Sequence, residues 1–324
     1  MTKRTSFSSQ VALLLFTPIF FMACSKDEIS VEAVATVIKV ESTNFLSAGL
    51  AEPITIVSRT LSTGQTADCY KIVSKSTPTD HNMGPWCPSN ISDGAEAGGI
   101  WLDNGKVYDV DGAFIKNLST FYSDKTWMMY NSSTGNITKT KTLAECQAAA
   151  NPNVGAEYKN FCVECLPSYV SSLTQTYYIP VYPVKLSSSV SFGMGPGSTG
   201  PSVRGLAFNG VRFDAPAPVS IILAAYTLAP FDDAGGHINL GAGYHYHAAT
   251  GLSKKITQSD GHAAMIGYAM DGHGLYERLD ANGKEYTDLD ECRGHSDGIR
   301  GYHYHVDKAG ANNFINCIKG AYAN

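Results

Sequence analysis

The sequence predicts a mainly β protein with short helices, of the α+β class, whose C-terminal domain is built from two tandem related halves with pseudo-two-fold symmetry. Three observations predict it. Charged residues make up only 16% of the chain, while Gly (31) and Tyr (18) are abundant; such a composition favours short strands and turns over long solvated helices. Apolar runs end in turn signals, Asn104-Gly105, Asn209-Gly210 and Asp271-Gly272, as in hairpins. A motif, Asp-x4-His-x5-Gly-Tyr-His-Tyr-His, occurs twice near the C-terminus.

Taken in order, the chain starts with Lys3 and Arg4, then an apolar run from Val11 to Ala23, interrupted by Pro18. A basic start and a short apolar stretch before a small residue describe a secretory signal peptide over 1–23. The run is too short to cross a membrane, which takes about 20 apolar residues. Phe21-Met22-Ala23-Cys24 resembles a bacterial lipobox, with Phe21 where Leu is usual. The resemblance implies a lipidated Cys24 and an outer-membrane anchor. Ser25-Lys26-Asp27-Glu28 is similar to a surface-export signal, which implies display to the medium. Residues 24–48 then read as a tether.

Residues 49–185 form an N-terminal region containing Cys and Trp. Ile54 to Val57 reads as a strand, and Trp101 and Val107 to Val110 as paired strands around Asp103-Asn104-Gly105. Thr142 to Ala150 reads as a helix, with Thr142 as N-cap, Glu145 completing a capping box and Asn151-Pro152 ending it. Tyr177 to Val184 carries two prolines and reads as an edge strand. The Ser-, Gly- and Pro-rich stretch 186–200 reads as a linker to the duplicated domain at 201–324.

Eight Cys are present. With Cys24 lipidated, Cys69, Cys87, Cys146, Cys162, Cys165, Cys292 and Cys317 remain, in a compartment where disulfides persist. Short loops suggest Cys69–Cys87 and Cys292–Cys317, and a bond from the Cys162/Cys165 pair to Cys146. A single Cys-x-x-Cys does not make a four-Cys zinc site. The formal net charge of -5 and the lack of a basic block argue against a nucleic-acid partner.

Eight of the nine His lie between His237 and His305. Asp232, His237, Gly243, Tyr244, His245, Tyr246 and His247 recur at one constant offset as Asp290, His295, Gly301, Tyr302, His303, Tyr304 and His305. Upstream, Gly205-Leu-Ala-Phe-Asn-Gly210 parallels Gly267-Tyr-Ala-Met-Asp-Gly272 at a slightly different offset. The halves therefore run over about 203–250 and 264–308.

Tyr-His-Tyr-His has period 2, so in a strand both His face one side and both Tyr the other. Two His on one face, with a third from the Gly-His loop, match a three-imidazole metal set. His237, His245, His247, His295, His303 and His305 are the candidate ligands, with zinc or copper as the ion. Asp232 and Asp290 are candidates to orient the rings or to ligate. His262 and His273 are candidates to join the second set. His81 and Asp109-Val-Asp111-Gly112 read as structural. Three functions remain open: metal capture, a metal-dependent hydrolase or oxidoreductase, and a non-catalytic surface binding module in which the His and Tyr are core.

These residues, with Asp271-Gly-His-Gly-Leu-Tyr276 and Leu289-Asp-Glu-Cys292, resemble the YHYH-domain family. Members usually read Asp-Gly-x-Pro-Ile-Tyr here, so this chain loses the Pro at Gly274 and gains His273. The resemblance implies an exported bacterial protein and this duplicated fold, with no agreed reaction.

Overall fold

Turn residues set where this chain reverses, and the strands between them follow. A computed structural model describes residues 36–150, 153–193 and 200–323. The signal peptide and Cys24 lie outside the described residues. In chain order the strands and helices are β1 (Thr55–Thr60), β2 (Thr66–Ser74), β3 (Ile100–Asp103), β4 (Lys106–Asp109), α1 (Gly112–Lys116), α2 (Leu118–Phe121), α3 (Leu143–Ala149), β5 (Gln175–Pro180), β6 (Lys185–Ser191), β7 (Gly205–Ala207), β8 (Arg212–Phe213), α4 (Val219–Ala224), β9 (Gly236–Asn239), β10 (Gly243–Tyr246), β11 (Met265–Ala269), β12 (Gly274–Tyr276), β13 (Gly294–Asp297), β14 (Gly301–His305) and β15 (Cys317–Gly320). The protein is mainly β with short helices.

Several local expectations hold. β3 and β4 form an antiparallel hairpin closed by Asn104-Gly105, both at positive φ. Thr142 caps α3, and Glu145 completes the capping box. β5 is an edge strand of the sheet β1-β2-β5; its one proline, Pro180, is its last residue, and Pro183 lies beyond it, positions an edge strand tolerates.

The central feature is an eight-stranded sheet ordered β13-β14-β12-β11-β7-β8-β10-β9. Its middle is the antiparallel pair β7·β11, with Leu206 opposite Tyr268. Outward on one side lies β8, parallel to β10, with Phe213 opposite Tyr246. Outward on the other lies β12, parallel to β14, with Leu275 opposite Tyr304. Each edge is an antiparallel hairpin, β9·β10 or β13·β14. The order of strand types therefore reads the same from either edge. Tight turns at Asn209-Gly210 and Asp271-Gly272 join β7 to β8 and β11 to β12, each with its Gly at φ 85°.

Both faces of the sheet centre are covered. Tyr244, Tyr246, Tyr302 and Tyr304 share one buried cluster with Phe314, Ile315 and Ile318. Leu206, Phe208, Tyr268 and Tyr276 face the opposite way, against Tyr70, Ile72 and Ile179 of the smaller sheet. Strand alternation produces this division.

Three expectations are corrected. The linker at 186–200 opens as β6, paired with β15 from the far end of the chain; residues 194–199 lie outside the described residues. Residues 40–48 are no tether: Val40 and Phe45 are buried, and Leu46 N donates to the Phe208 carbonyl. Their apolar side chains complete the cluster over Phe208 and Tyr268. Cys292–Cys317 and Cys146–Cys165 form as expected, but Cys69–Cys87 does not: Cys87 pairs with Cys162, and Cys69 is free and buried. Cys69 sits inside β2, within the three-stranded sheet, while Cys87 lies on the loop that packs toward β3. The N-terminal region is continuous with residues 201–324, since Trp86, Cys146 and Val170 share a core with Tyr244 and Tyr304.

Candidate metal centres

Each Tyr-His-Tyr-His run builds its site by alternation. Tyr244 and Tyr246 turn into the shared core, so His245 and His247 are set on the reverse face of the edge hairpin. The neighbouring strand adds His237, directly opposite His245. The second run repeats this with His303, His305 and His295, the last opposite His303. The Gly of each Gly-His pair has a steric cause. A Cβ on Gly236 would lie 2.4 Å from the Tyr244 ring, and one on Gly294 2.2 Å from the Tyr302 hydroxyl. Glycine leaves room for the tyrosine to lie across the hairpin, a cross-strand packing seen generally at sheet glycines.

Two separate histidine clusters result, at opposite edges of the sheet. His237, His245 and His247 bring ligand atoms within 4.8 Å of one another, and so do His262, His295, His303 and His305. Five inter-strand steps separate β10 from β14, about 24 Å along the sheet.

In the second cluster the Nε2 atoms converge. Those of His262 and His303 are 3.1 Å apart, those of His295 and His303 3.0 Å, and those of His295 and His305 3.1 Å. The other ring nitrogens are all committed. Nδ1 of His262 donates to Ala263 O at 3.1 Å, that of His303 to Gly301 O at 2.9 Å and that of His305 to Glu277 O at 2.9 Å. Nδ1 of His295 donates to Asp288 Oδ2 at 2.9 Å. A carbonyl or carboxylate oxygen only accepts, so each Nδ1 carries the proton and each neutral ring presents a bare Nε2 lone pair. Four lone pairs facing one point repel unless a cation sits among them. Tetrahedral zinc with bonds of 2.0–2.1 Å spaces its nitrogens about 3.3 Å apart, close to these separations. Tyr286 and Tyr276 cover the cluster, with ring centroids 3.9 Å from His305 and 5.0 Å from His303.

The first cluster has the same logic with one imidazole fewer. His245 Nδ1 donates to Gly243 O at 3.0 Å and His247 Nδ1 to Ala215 O at 2.7 Å, while the Ala229 and Pro230 carbonyls accept from the His237 ring. Ring centroids lie 4.8–5.0 Å apart. Asp214, paired with Arg212, sets its Oδ2 3.8 Å from His245 Nε2.

Protonation is disfavoured at His237, His245, His247, His262, His303 and His305. Burial, then the charge of the neighbouring imidazoles, holds His237 and His247 well below the usual histidine range. Burial also lowers His245, against the pull of Asp214. Burial brings His303 to about 4 and His305 to about 2, and lowers His262. Deprotonated imidazole is the form a metal binds.

The two aspartates do other work than expected of them. Asp232 accepts from Tyr244 OH at 2.8 and 2.9 Å, from Gly84 N at 3.0 Å and from Ala234 N and Gly236 N at 3.1 Å. Asp290 accepts from Tyr302 OH at 2.8 Å, Cys292 N at 2.9 Å and Gly294 N at 3.0 Å. Both sit on the tyrosine side, where they close the Gly-His turn and anchor the tyrosine; neither contacts a ligating ring. Burial raises Asp232, against its hydrogen bonds. His273 is on that side too: its Nδ1 donates to Tyr302 O at 2.9 Å, and it packs on Tyr302 and Tyr304. His262 joins the second cluster. His81 bonds Asp80 at 2.9 Å and approaches Tyr244 OH, again on the tyrosine side. Glu291 lies near Cys292 and Cys317, but those sulfurs are joined to each other.

Sequence reasoning missed Asp288, Asp214 and the Ala215 and Glu277 carbonyls. Asp288 carried no signal, since Pro230 occupies the matching position in the first copy. The carbonyls belong to residues following β8 and β12, brought beside the histidines only by parallel pairing.

An edge hairpin presenting an all-imidazole cluster on one face and buried tyrosines on the other defines the class of site. Residues 176–287 match the family model described as YHYH protein. The match spans the first motif and ends before the second. No curated protein and no solved structure matches the chain.

Proposed function

We propose that this protein binds two transition-metal ions, one in each histidine cluster, as an exported lipoprotein anchored through Cys24 at the outer membrane and facing the medium. The observation that carries the metal reading is the tautomer pattern. Every Nδ1 of the four-histidine cluster donates to an oxygen, so four Nε2 lone pairs converge with no proton to share among them. Purely structural histidines would relieve that repulsion by pairing Nε2–H with an acceptor. All-nitrogen donor sets suit zinc and copper.

Duplication supports two equivalent sites. Tyr246 OH bonds Asn209, and Tyr304 OH bonds Asp271. His247 Nδ1 meets Ala215 O, and His305 Nδ1 meets Glu277 O. These pairs fall at matching positions of the two halves, as a pseudo-two-fold domain requires.

Untagged protein dialysed against zinc and then against buffer tests the metal reading. Two ions per chain are expected, falling to one in His303→Ala/His305→Ala and in His245→Ala/His247→Ala. Retention of two ions in either double variant would refute the assignment. The export reading rests on the lipobox-like Phe21-Met22-Ala23-Cys24, and Cys24→Ser is expected to move the protein from the membrane to the soluble fraction.

A further inference from the structure

The two clusters differ in what occupies the place of a fourth ligand. In the second, His262 fills it and two tyrosine rings close over the site. In the first, no fourth imidazole arrives. Instead, all three histidines form part of the wall of a cavity of about 250 Å³. The rest of that wall is largely apolar and includes Trp86, Val163, Ile222 and Ile238. Two carboxylates lie near, and both are already neutralised: Asp214 by Arg212, and Glu164 by Lys139 at 2.9 Å.

Resting on the metal reading above, we infer that the three-histidine centre takes a small organic anion, whose single donor head completes the ion's coordination while one ring or short chain fills the cavity. The charge selects the head. A dication held by three neutral imidazoles keeps its full charge, and the nearby carboxylates are paired elsewhere, so an anionic donor neutralises it best. The wall selects the body. A dry apolar cavity of about 150 Å³ accepts the six carbons of benzene, so this one holds roughly ten heavy atoms on the same scale. Three protein ligands with an open position are the arrangement of exchangeable rather than closed zinc centres. Convergent polar groups in an otherwise apolar concavity mark ligand sites generally.

Cobalt-loaded full-length protein provides the probe, because the visible spectrum of cobalt reports a change of its ligands. Benzoate, acetate and 2-naphthoate are titrated in turn. Benzoate is expected to shift the spectrum saturably, with half-saturation at least tenfold below that of acetate, and naphthoate to bind no better than acetate. The shift should survive His295→Ala, which removes a ligand of the other centre. It should disappear in Ile222→Trp, which fills the cavity and keeps both cobalt ions. Val163→Phe makes the same test where Ile222→Trp does not fold. Equal half-saturation for acetate and benzoate, a benzoate response that persists in the filled-cavity variants, or its loss in His295→Ala would overturn the inference. Failure of the unaltered protein to take up cobalt would instead refute the metal reading on which it rests.

Discussion

A histidine ring has two nitrogens; the second cluster holds all four rings by Nδ1, as His245 and His247 are held in the first, and leaves Nε2 free. Asp288 is the single carboxylate among the oxygens that hold the second cluster, bonding His295 at 2.9 Å. Partners of this kind typically change metal affinity 10–100-fold. Asp288→Ala is expected to weaken the second ion by about tenfold or more and leave the first unchanged, as read by competition with a chromophoric chelator. Asp232 makes the opposite prediction. Its carboxylate satisfies a buried tyrosine and three backbone amides. Asp232→Ala should cost about 2–4 kcal/mol in denaturant unfolding, the scale of several unpaired buried donors, with two ions still bound. Loss of one ion without loss of stability would return Asp232 to the orienting role its spacing suggests. That spacing misled because Asp232 and His237 share a turn while their side chains leave it on opposite faces.

The histidines also set a pH dependence. His303 titrates near 4 in the folded chain and near 6.5 when unfolded. Below about 6.5 the unfolded chain therefore takes up the proton first, and stability falls as pH falls, until the folded ring titrates as well. For His303 the loss between pH 6.5 and 4 is about 3 kcal/mol. His305, lowered to about 2, adds a loss that continues further into acid. Acid titration followed by circular dichroism should show the metal-free protein unfolding at higher pH than the zinc-loaded one. Coincident curves would contradict the assignment of the buried rings as ligands.

At the scale of elements, what was legible followed from local chemistry. The capping box at Thr142 and Glu145, the hairpin at Asn104-Gly105 and the His/Tyr alternation of β10 and β14 are each decided within a few residues. The misreadings all involve partners distant in the sequence. Ser187 to Val190 resembles a linker because its strand character depends on β15, contributed by the last residues of the chain. Cys87 finds Cys162 across a separation of 75 residues, which no short-loop preference anticipates. His262 is no misreading: expected as a candidate for the second set, it reaches His303 from a loop outside either motif. The bond Cys292–Cys317, separated by 25 residues, was legible because its loop is short and fixes β15 near the second motif. Replacing both cysteines by serine should cost about 3 kcal/mol through the freed loop. Thermal unfolding in the presence and absence of reductant measures this, and an unchanged melting temperature in the variant would contradict it.

For the molecule as a whole, one sheet carries two metal-ready edges separated by a core that both halves share. The repeat announced two sites. It did not announce that one would be closed by a fourth imidazole and the other left facing a cavity, because His262 and much of the cavity wall, Trp86 and Val163 among it, lie outside the repeated segment. Anomalous diffraction from a zinc- or copper-soaked crystal, collected at the metal edge, tests the central claim most directly. Two peaks are predicted. One should be surrounded by Nε2 of His262, His295, His303 and His305, the other by Nε2 of His237, His245 and His247, at bond lengths of about 2.0–2.1 Å. A map with no peak at either cluster, or with metal bound only at surface carboxylates, would contradict it.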